Sequence, residues 1–166
     1  MNNYEEVFNG IGKHKYREVK LAINPDVNPV LQPPRRVSLP IREKADKIIQ
    51  KYMDEEVIED VVGPTDWLSN PVFTPKADPT DIRMNIDMTD ANQAIRRTRH
   101  VIPTLEELRH DFNEAKYFSV IDQNCGYNQY QLEEGESRNI TAFRSHRGIK
   151  RFKRLHFGIN SAAEIF

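Results

Sequence analysis

Asp122 stands at the end of the run Tyr117-Phe118-Ser119-Val120-Ile121, and that position is what suggests chemistry. The run is apolar almost throughout, which is how a buried central strand reads. A carboxylate emerging at the carboxyl end of such a strand is well placed to hold a divalent cation, because hard oxygen ligands suit Mg²⁺. The alternative is an aspartate that caps the turn toward Gly126. A second candidate is cationic. Arg138, Arg144, Arg147, Lys150, Arg151, Lys153 and Arg154 share a short stretch with Phe143, Phe152 and Phe157, and no acid interrupts it after Glu136. Cations and aromatics on adjacent strands can meet a phosphate backbone and stack on bases. The same pattern also describes a solvated sheet face above core phenylalanines. Lys76 and Arg83 flank a polar hairpin tip, from which they reach either an anionic ligand or only water. Arg96, Arg97, Arg99 and His100 make a smaller basic group that suits a loop. No Gly-rich phosphate loop, His-x-x-x-His pair or Ser/His/Asp order occurs, which removes several enzyme classes.

These residues need elements to hold them. Residues 1–40 show only a loose alternation at Tyr16–Ile23, and Pro25, Pro29, Pro33, Pro34 and Pro40 then keep the chain extended. The expectation is an arm laid over something, or a tether, with no core of its own. Ile41, Ala45, Ile48, Ile49, Tyr52 and Met53 recur at helical spacing behind start signals at Ser38 and Pro40. Val57-Ile58 ends that unit and Gly63-Pro64 makes a turn. Residues 71–74 and 82–86 read as a hairpin, with Ile82, Met84 and Ile86 on one face. Thr104-Leu105-Glu106-Glu107 is a capping box, and Leu105, Leu108 and Phe112 form the stripe of the helix it opens. After the Asp122 strand, residues 140–143 and 151–155 look like a strand pair turning at 145–148. A further helix begins near Asn160.

With 166 residues the chain holds one ordinary domain or a piece of a larger one. A hydrophobic fraction of 38% against 30% charged residues implies a thin core. Lys+Arg at 24 balance Asp+Glu at 25, so net charge does not argue for nucleic acid. Cys125 is the sole cysteine, which excludes an internal disulfide and a cysteine zinc site; it reads as a small buried filler. The amino terminus has no secretory signal, and no apolar run approaches the ~20 residues of a membrane span. The expectation is an intracellular chain, cytoplasmic or nuclear, neither secreted nor membrane-bound.

The blocks Leu-Gln-Pro-Pro-Arg-Arg-Val (31–37), Val-Ile-Glu (57–59), Ser-Asn-Pro-Val (69–72), Ile-Arg-Met-Asn-Ile-Asp-Met (82–88), Phe-Ser-Val-Ile-Asp (118–122), Gly-Tyr (126–127), Ile-Thr-Ala-Phe (140–143) and Leu-His-Phe-Gly-Ile-Asn-Ser-Ala (155–162) appear in this order. Together they resemble the reverse transcriptases, RNA-directed DNA polymerases, of gypsy-class LTR retrotransposons. The resemblance covers about residues 16 to 166. It implies an α+β right-hand polymerase: an arm over 1–40, fingers over 41–115, and over 116–166 an incomplete palm with a truncated ferredoxin-like sheet. It implies that Asp122 is the first metal-binding aspartate, with the Gln123 carbonyl a further ligand, sharing two Mg²⁺ with a nucleoside triphosphate. Tyr127 then packs under the incoming sugar and excludes a 2′-hydroxyl. Arg83, and Lys76 less securely, contact the triphosphate, while Phe157-Gly158 lines the nucleotide pocket. Arg144, Arg147, Lys150, Arg151, Lys153 and Arg154 would meet nucleic acid. The implied partners are an RNA or DNA template–primer, dNTP and the remainder of a polyprotein.

The sequence also departs from that family. Lys76-Ala77-Asp78-Pro79 lacks the usual second lysine and turn glycine, Thr89 replaces arginine, and Ala163 replaces proline. Gln123-Asn124-Cys125 replaces Leu-Lys-Ser. The family's Tyr-x-Asp-Asp block is not in these residues, and one carboxylate cannot hold two Mg²⁺. Three readings follow: a polymerase piece that is inactive alone, a non-catalytic nucleic-acid-binding module, or a decayed gene fragment without a stable fold.

Overall fold

The computed structural model describes residues 8–166 except 77, 79, 80, 98, 99, 101, 102 and 114, together with all side chains but those of His110 and Asp111. Arg99 and residues 77, 79 and 80 of the hairpin tip therefore lie outside the described residues.

Helix α1 (Leu39–Asp54) follows the expected spacing, turning Ala45 and Ile49 fully inward, with Pro40 tolerated in the first turn, where backbone N–H groups lack helical partners. It ends where Glu55 and Glu56 donate back to Lys51 and Met53, and Glu56 takes a positive φ of 53°. Strands β3 (Pro71–Pro75) and β4 (Ile82–Ile86) form the expected antiparallel hairpin, Phe73 facing Met84. On β4 burial alternates strictly, with Ile82, Met84 and Ile86 inside and Arg83 and Asn85 outside.

A three-stranded sheet lies beside this hairpin in the order β2 (Ile58–Asp60), β7 (Gly148–Phe152), β6 (Phe143–Ser145), all antiparallel. Its strands are displaced from the expected 140–143 and 151–155. Residues 136–139 form a short helix α4, and Thr141 continues that turn by donating to the Arg138 carbonyl at 2.7 Å. Extended backbone therefore begins only at Phe143. Ser145 holds the hairpin turn, accepting from the Arg147 N–H at 3.1 Å and donating to the Gly148 carbonyl at 2.8 Å.

The arm is not a tether. Strand β1 (Glu18–Val19) pairs in parallel with β5 (Gln131–Leu132), and Val19 and Leu21 enter the core. Further along, Gln32 donates to the Leu68 carbonyl at 2.8 Å and takes the Asn70 N–H at 3.0 Å. Proline-rich backbone is poor in donors, so side chains and single bridges fasten it. The core it closes contains Ile49, Ile58, Trp67, Ile86, Leu132, Phe143, Phe152 and Leu155. Short helices α2 (Ala91–Ala94) and α5 (Ala162–Ile165) complete the body.

Two expectations are overturned. Helix α3 (Leu105–Asp111) forms with its capping box, Thr104 N–H donating to the Glu107 carboxylate at 2.7 Å, but Leu105 and Phe112 remain exposed. Residues 115–123 are not a buried strand: they carry no regular structure, and Tyr117, Phe118, Val120 and Ile121 face outward. A strand exists by pairing its backbone, and among the described residues no strand lies alongside. No helix among the described residues is long and apolar enough to cross a membrane.

Candidate active-site cleft

Asp122 is exposed and opens into a cleft of about 560 Å³, whose walls also include Ile121, Gln123, Gly126, Tyr127, Phe157 and Phe166. Segments distant in sequence meet here. Cys125, at a left-handed φ of 49°, turns the chain into a 3₁₀ turn at Gly126–Gln129 that presents Tyr127. Tyr127 lies 4.6 Å from Phe157 and 5.4 Å, edge-on, from Phe166, centroid to centroid. Gly126 permits this, because a Cβ there would stand 3.0 Å from the Phe166 ring.

The opposite wall is fixed by amides. Gly158 has φ +108°, and its carbonyl accepts from the Asn92 side chain at 2.7 Å. Asn160 binds Asn92 in turn, its N–H on Asn92 Oδ1 at 2.9 Å and its amide on the Asn92 carbonyl at 3.0 Å. Asn92, Asn160 and Phe166 were not singled out from the sequence. Their roles depend on contacts between distant segments, for which spacing carries no signal.

Phe157 also walls a second hollow of about 340 Å³, where Lys76, Arg83, Asn85, Tyr52, Cys125 and His156 converge. Lys76 is ion-paired with Asp81, and that hydrogen bond holds the Asp81 carboxyl below the usual carboxylate range. Arg83 stands exposed on β4. Cys125 is exposed and is not the buried filler expected. His156 is buried and stacked on Phe152 at 3.8 Å. Its Nδ1 donates to the Phe157 carbonyl at 2.5 Å, and burial pushes its pKa down to about 4.

The basic stretch is not an open cationic face. The register of β2 on β7 sets Glu59 opposite Arg151 and Asp60 opposite Lys150. Arg151 donates to Glu59 at 2.7 Å, Lys150 to Asp60, and Lys153 to Glu56 at 3.1 Å. Arg147 and His146 both hold Asp46, the latter at 2.7 Å, and the His146 hydrogen bond leads the lowering of that carboxyl's pKa. Arg154 is buried, donating to the carbonyls of Glu56, Gly12 and Asn128 at 3.0 to 3.1 Å. Arg138 donates to the Leu132 carbonyl at 3.0 Å and reaches Glu59. Of the smaller group, Arg97 pairs with Glu164 and Arg96 with Asn24.

Thr89, where the resembled family carries arginine, donates to Asp87 at 2.7 Å, and Arg35 meets the same carboxylate at 2.8 Å. Asp122 is the one carboxylate on the walls of the first cleft among the described residues. Nor do three or more His, Cys, Asp or Glu side chains gather anywhere among them. Asp122 and a neighbouring carbonyl are too few for a pair of Mg²⁺ ions, each of which needs several oxygen ligands. The residues present do not fit a two-metal centre.

No family model matches the chain. It is 30% identical over 124 residues to the retrovirus-related Pol polyprotein from transposon 412 of Drosophila melanogaster, a match that covers 71% of this chain and 10% of that polyprotein. It is 34% identical over 84 residues to a putative enzymatic polyprotein of Cassava vein mosaic virus, covering 51% and 13% respectively. The gypsy Pol polyprotein of Drosophila melanogaster matches over 84 residues at 32%, covering 51% and 8%. The chain thus spans about a tenth of the length of these relatives. Prototype foamy virus protease-reverse transcriptase shares the fold at a TM-score of 0.83 and 19% identity, over 99% of this chain and 22% of that one. The foamy viral enzyme solved in complex with an RNA/DNA hybrid gives 0.76 at 20% identity, over 93% and 21%. The structure is a mixed α/β fold that resembles about a fifth of the foamy virus protease-reverse transcriptase. The chain belongs to the reverse-transcriptase-related family found in the Pol polyproteins of retrotransposons.

Proposed function

We propose that this chain is the fingers and the beginning of the palm of an RNA-directed DNA polymerase, supplying one wall of the nucleotide pocket and one of its carboxylates. The arrangement that carries this reading is the cleft where Asp122, Gln123, Tyr127 and Phe157 meet, with Phe157 shared with the hollow of Lys76 and Arg83. The division follows: arm 1–40, fingers 41–115, palm from 116. Arg83 takes triphosphate oxygens, where a planar cation binds them in pairs. Tyr127, braced by Phe157 and Phe166, sets a rigid floor beneath the sugar. Lys76 is a weaker phosphate ligand because Asp81 already occupies it.

Nucleotidyl transfer by two Mg²⁺ belongs to the full-length parent, since among the described residues only Asp122 contributes a carboxylate to the cleft. The proposed partners are a template–primer, dNTP and the rest of a Pol polyprotein. The relation to foamy virus enzymes solved with double-stranded DNA and with an RNA/DNA hybrid supports the nucleic-acid part.

Primer extension on an RNA template with Mg²⁺ tests the reading. This chain alone yields no product. A version continued through downstream coding sequence that supplies a Tyr-x-Asp-Asp block extends the primer, and Asp122→Asn abolishes that extension. Extension that survives Asp122→Asn refutes the assignment.

A further inference from the structure

Phe157 is 63% exposed, so no core holds its ring against the cleft. The backbone on either side must do so. His156 before it is buried, with Nδ1 on the Phe157 carbonyl, and Ile159 beyond it sits in the core. Between these fixed ends lies Gly158, and glycine takes positive and negative φ about equally well. Its own chemistry therefore leaves the turn two forms. The structure holds one of them, at φ +108°.

The group that selects it comes from a distant part of the chain. Asn92 on α2 donates its side-chain amide to the Gly158 carbonyl at 2.7 Å. Its Oδ1 accepts the Asn160 N–H at 2.9 Å, so one side chain grips residues 158 and 160 together. Turning that amide over would set oxygen on oxygen and N–H on N–H, which fixes its orientation. Asn92 is itself held. The Asn160 amide donates to the carbonyls of Asn92 and Ile95 at 3.0 and 3.1 Å. On either side of Ile95, the Ala94 carbonyl accepts the Asn24 N–H and the Arg96 N–H donates to Ala22, each at 2.8 Å. The arm thus backs the segment that backs Phe157.

We propose that Asn92 is a positioning residue: its amide selects the positive-φ form of Gly158 and thereby sets the Phe157 ring against Tyr127. Without that bond Gly158 samples both forms, and the ring one residue earlier moves with them. The consequence for nucleotide affinity rests on the pocket reading above. The placement of the ring does not.

Fluorine NMR of the full chain carrying 4-fluorophenylalanine at position 157 tests the placement. The parent should give one resonance, displaced by the Tyr127 ring from its position in the urea-unfolded chain. Asn92→Asp keeps the acceptor for Asn160 but sets a carboxylate oxygen on the Gly158 carbonyl. Asn92→Ser removes the donor without adding charge. Both should move the resonance toward its unfolded position, while the thermal midpoint falls by no more than about 4 °C, as for one net hydrogen bond. Arg97→Gln breaks the Arg97–Glu164 pair, which joins the same two parts of the chain, and should leave the resonance in place. In a form that extends primers, Asn92→Ser raises KM for the incoming nucleotide roughly tenfold with kcat nearly unchanged. A resonance unmoved in both Asn92 variants overturns the proposal, as does an equal movement in Arg97→Gln or a KM that does not rise. If the unaltered extended form makes no product, the polymerase reading fails, and the fluorine result still decides the role of Asn92.

Discussion

Tyr127 packs its ring against Phe157 at 4.6 Å between centroids and 56° between planes, joining the turn after Asp122 to the loop that Asn92 anchors. The contact makes two remote segments into one wall. Truncating Tyr127 to alanine removes it along with the edge-on contact to Phe166. The expected loss is about 2 kcal/mol of folding stability, below the value for a fully buried ring because Tyr127 is only half-buried. Tyr127→Phe keeps the ring and stays within about 0.5 kcal/mol. Urea midpoints of the three chains decide this. An alanine variant as stable as its parent removes Tyr127 from the wall. In a form that extends primers, the same truncation raises ribonucleotide incorporation on the proposed reading.

His156 gives the fold a pH dependence with a defined sign. Its pKa falls from the ordinary 6.5 to about 4, chiefly by burial. The unfolded chain therefore binds a proton between pH 6.5 and 4 that the folded chain refuses. Stability is complete above 6.5, declines as pH falls through this window, and levels off below 4 for this group. The full loss is about 3 kcal/mol. Its Nε2 has no hydrogen-bond partner among the described residues. His156→Phe keeps the stacking on Phe152 and flattens the window. Urea unfolding at pH 7 and pH 5 measures the difference. Equal slopes for the two chains rule the histidine out as the cause.

Local signals were legible in the sequence, and distant ones were not. The spacing in α1, the alternation of Ile82, Met84 and Ile86, and the capping box at Thr104 each depend on neighbours a few residues away, and each forms as expected. The reading of residues 117–121 as a central strand fails because burial requires a partner strand, which no periodicity supplies. The reading of 140–143 as a strand fails because Thr141 donates to its own turn. The cleft was legible in its residue types, since Asp122, Tyr127 and Phe157 do meet. Its fastening through Asn92, Asn160 and Phe166 was not.

Cys125 was expected inside and lies outside, in a left-handed turn between the two hollows. Its side chain is exposed at the mouth of the smaller hollow, so reaction with a thiol reagent needs no unfolding. Ellman's reagent should modify one thiol per chain under native conditions, at a rate unchanged by adding urea below the unfolding transition. Protection until the transition would mean that the thiol is shielded.

The basic stretch makes the last quantitative claim. Of its six expected contacts to nucleic acid, Arg147, Lys150, Arg151 and Lys153 are held by Asp46, Asp60, Glu59 and Glu56, and Arg154 is buried on backbone carbonyls. That leaves Arg144. Each phosphate contact contributes about −0.9 to the slope of log affinity against log salt, so binding of this chain to an RNA–DNA duplex should show a slope no steeper than about −2. Fluorescence anisotropy from low to moderate salt gives the value directly. A slope near −5 would mean that phosphates displace the carboxylates and that the strip is an interface after all. Glu59→Gln separates the two cases. It releases Arg151 and steepens the slope by about one unit if the acids mask the strip, and leaves the slope unchanged if they do not.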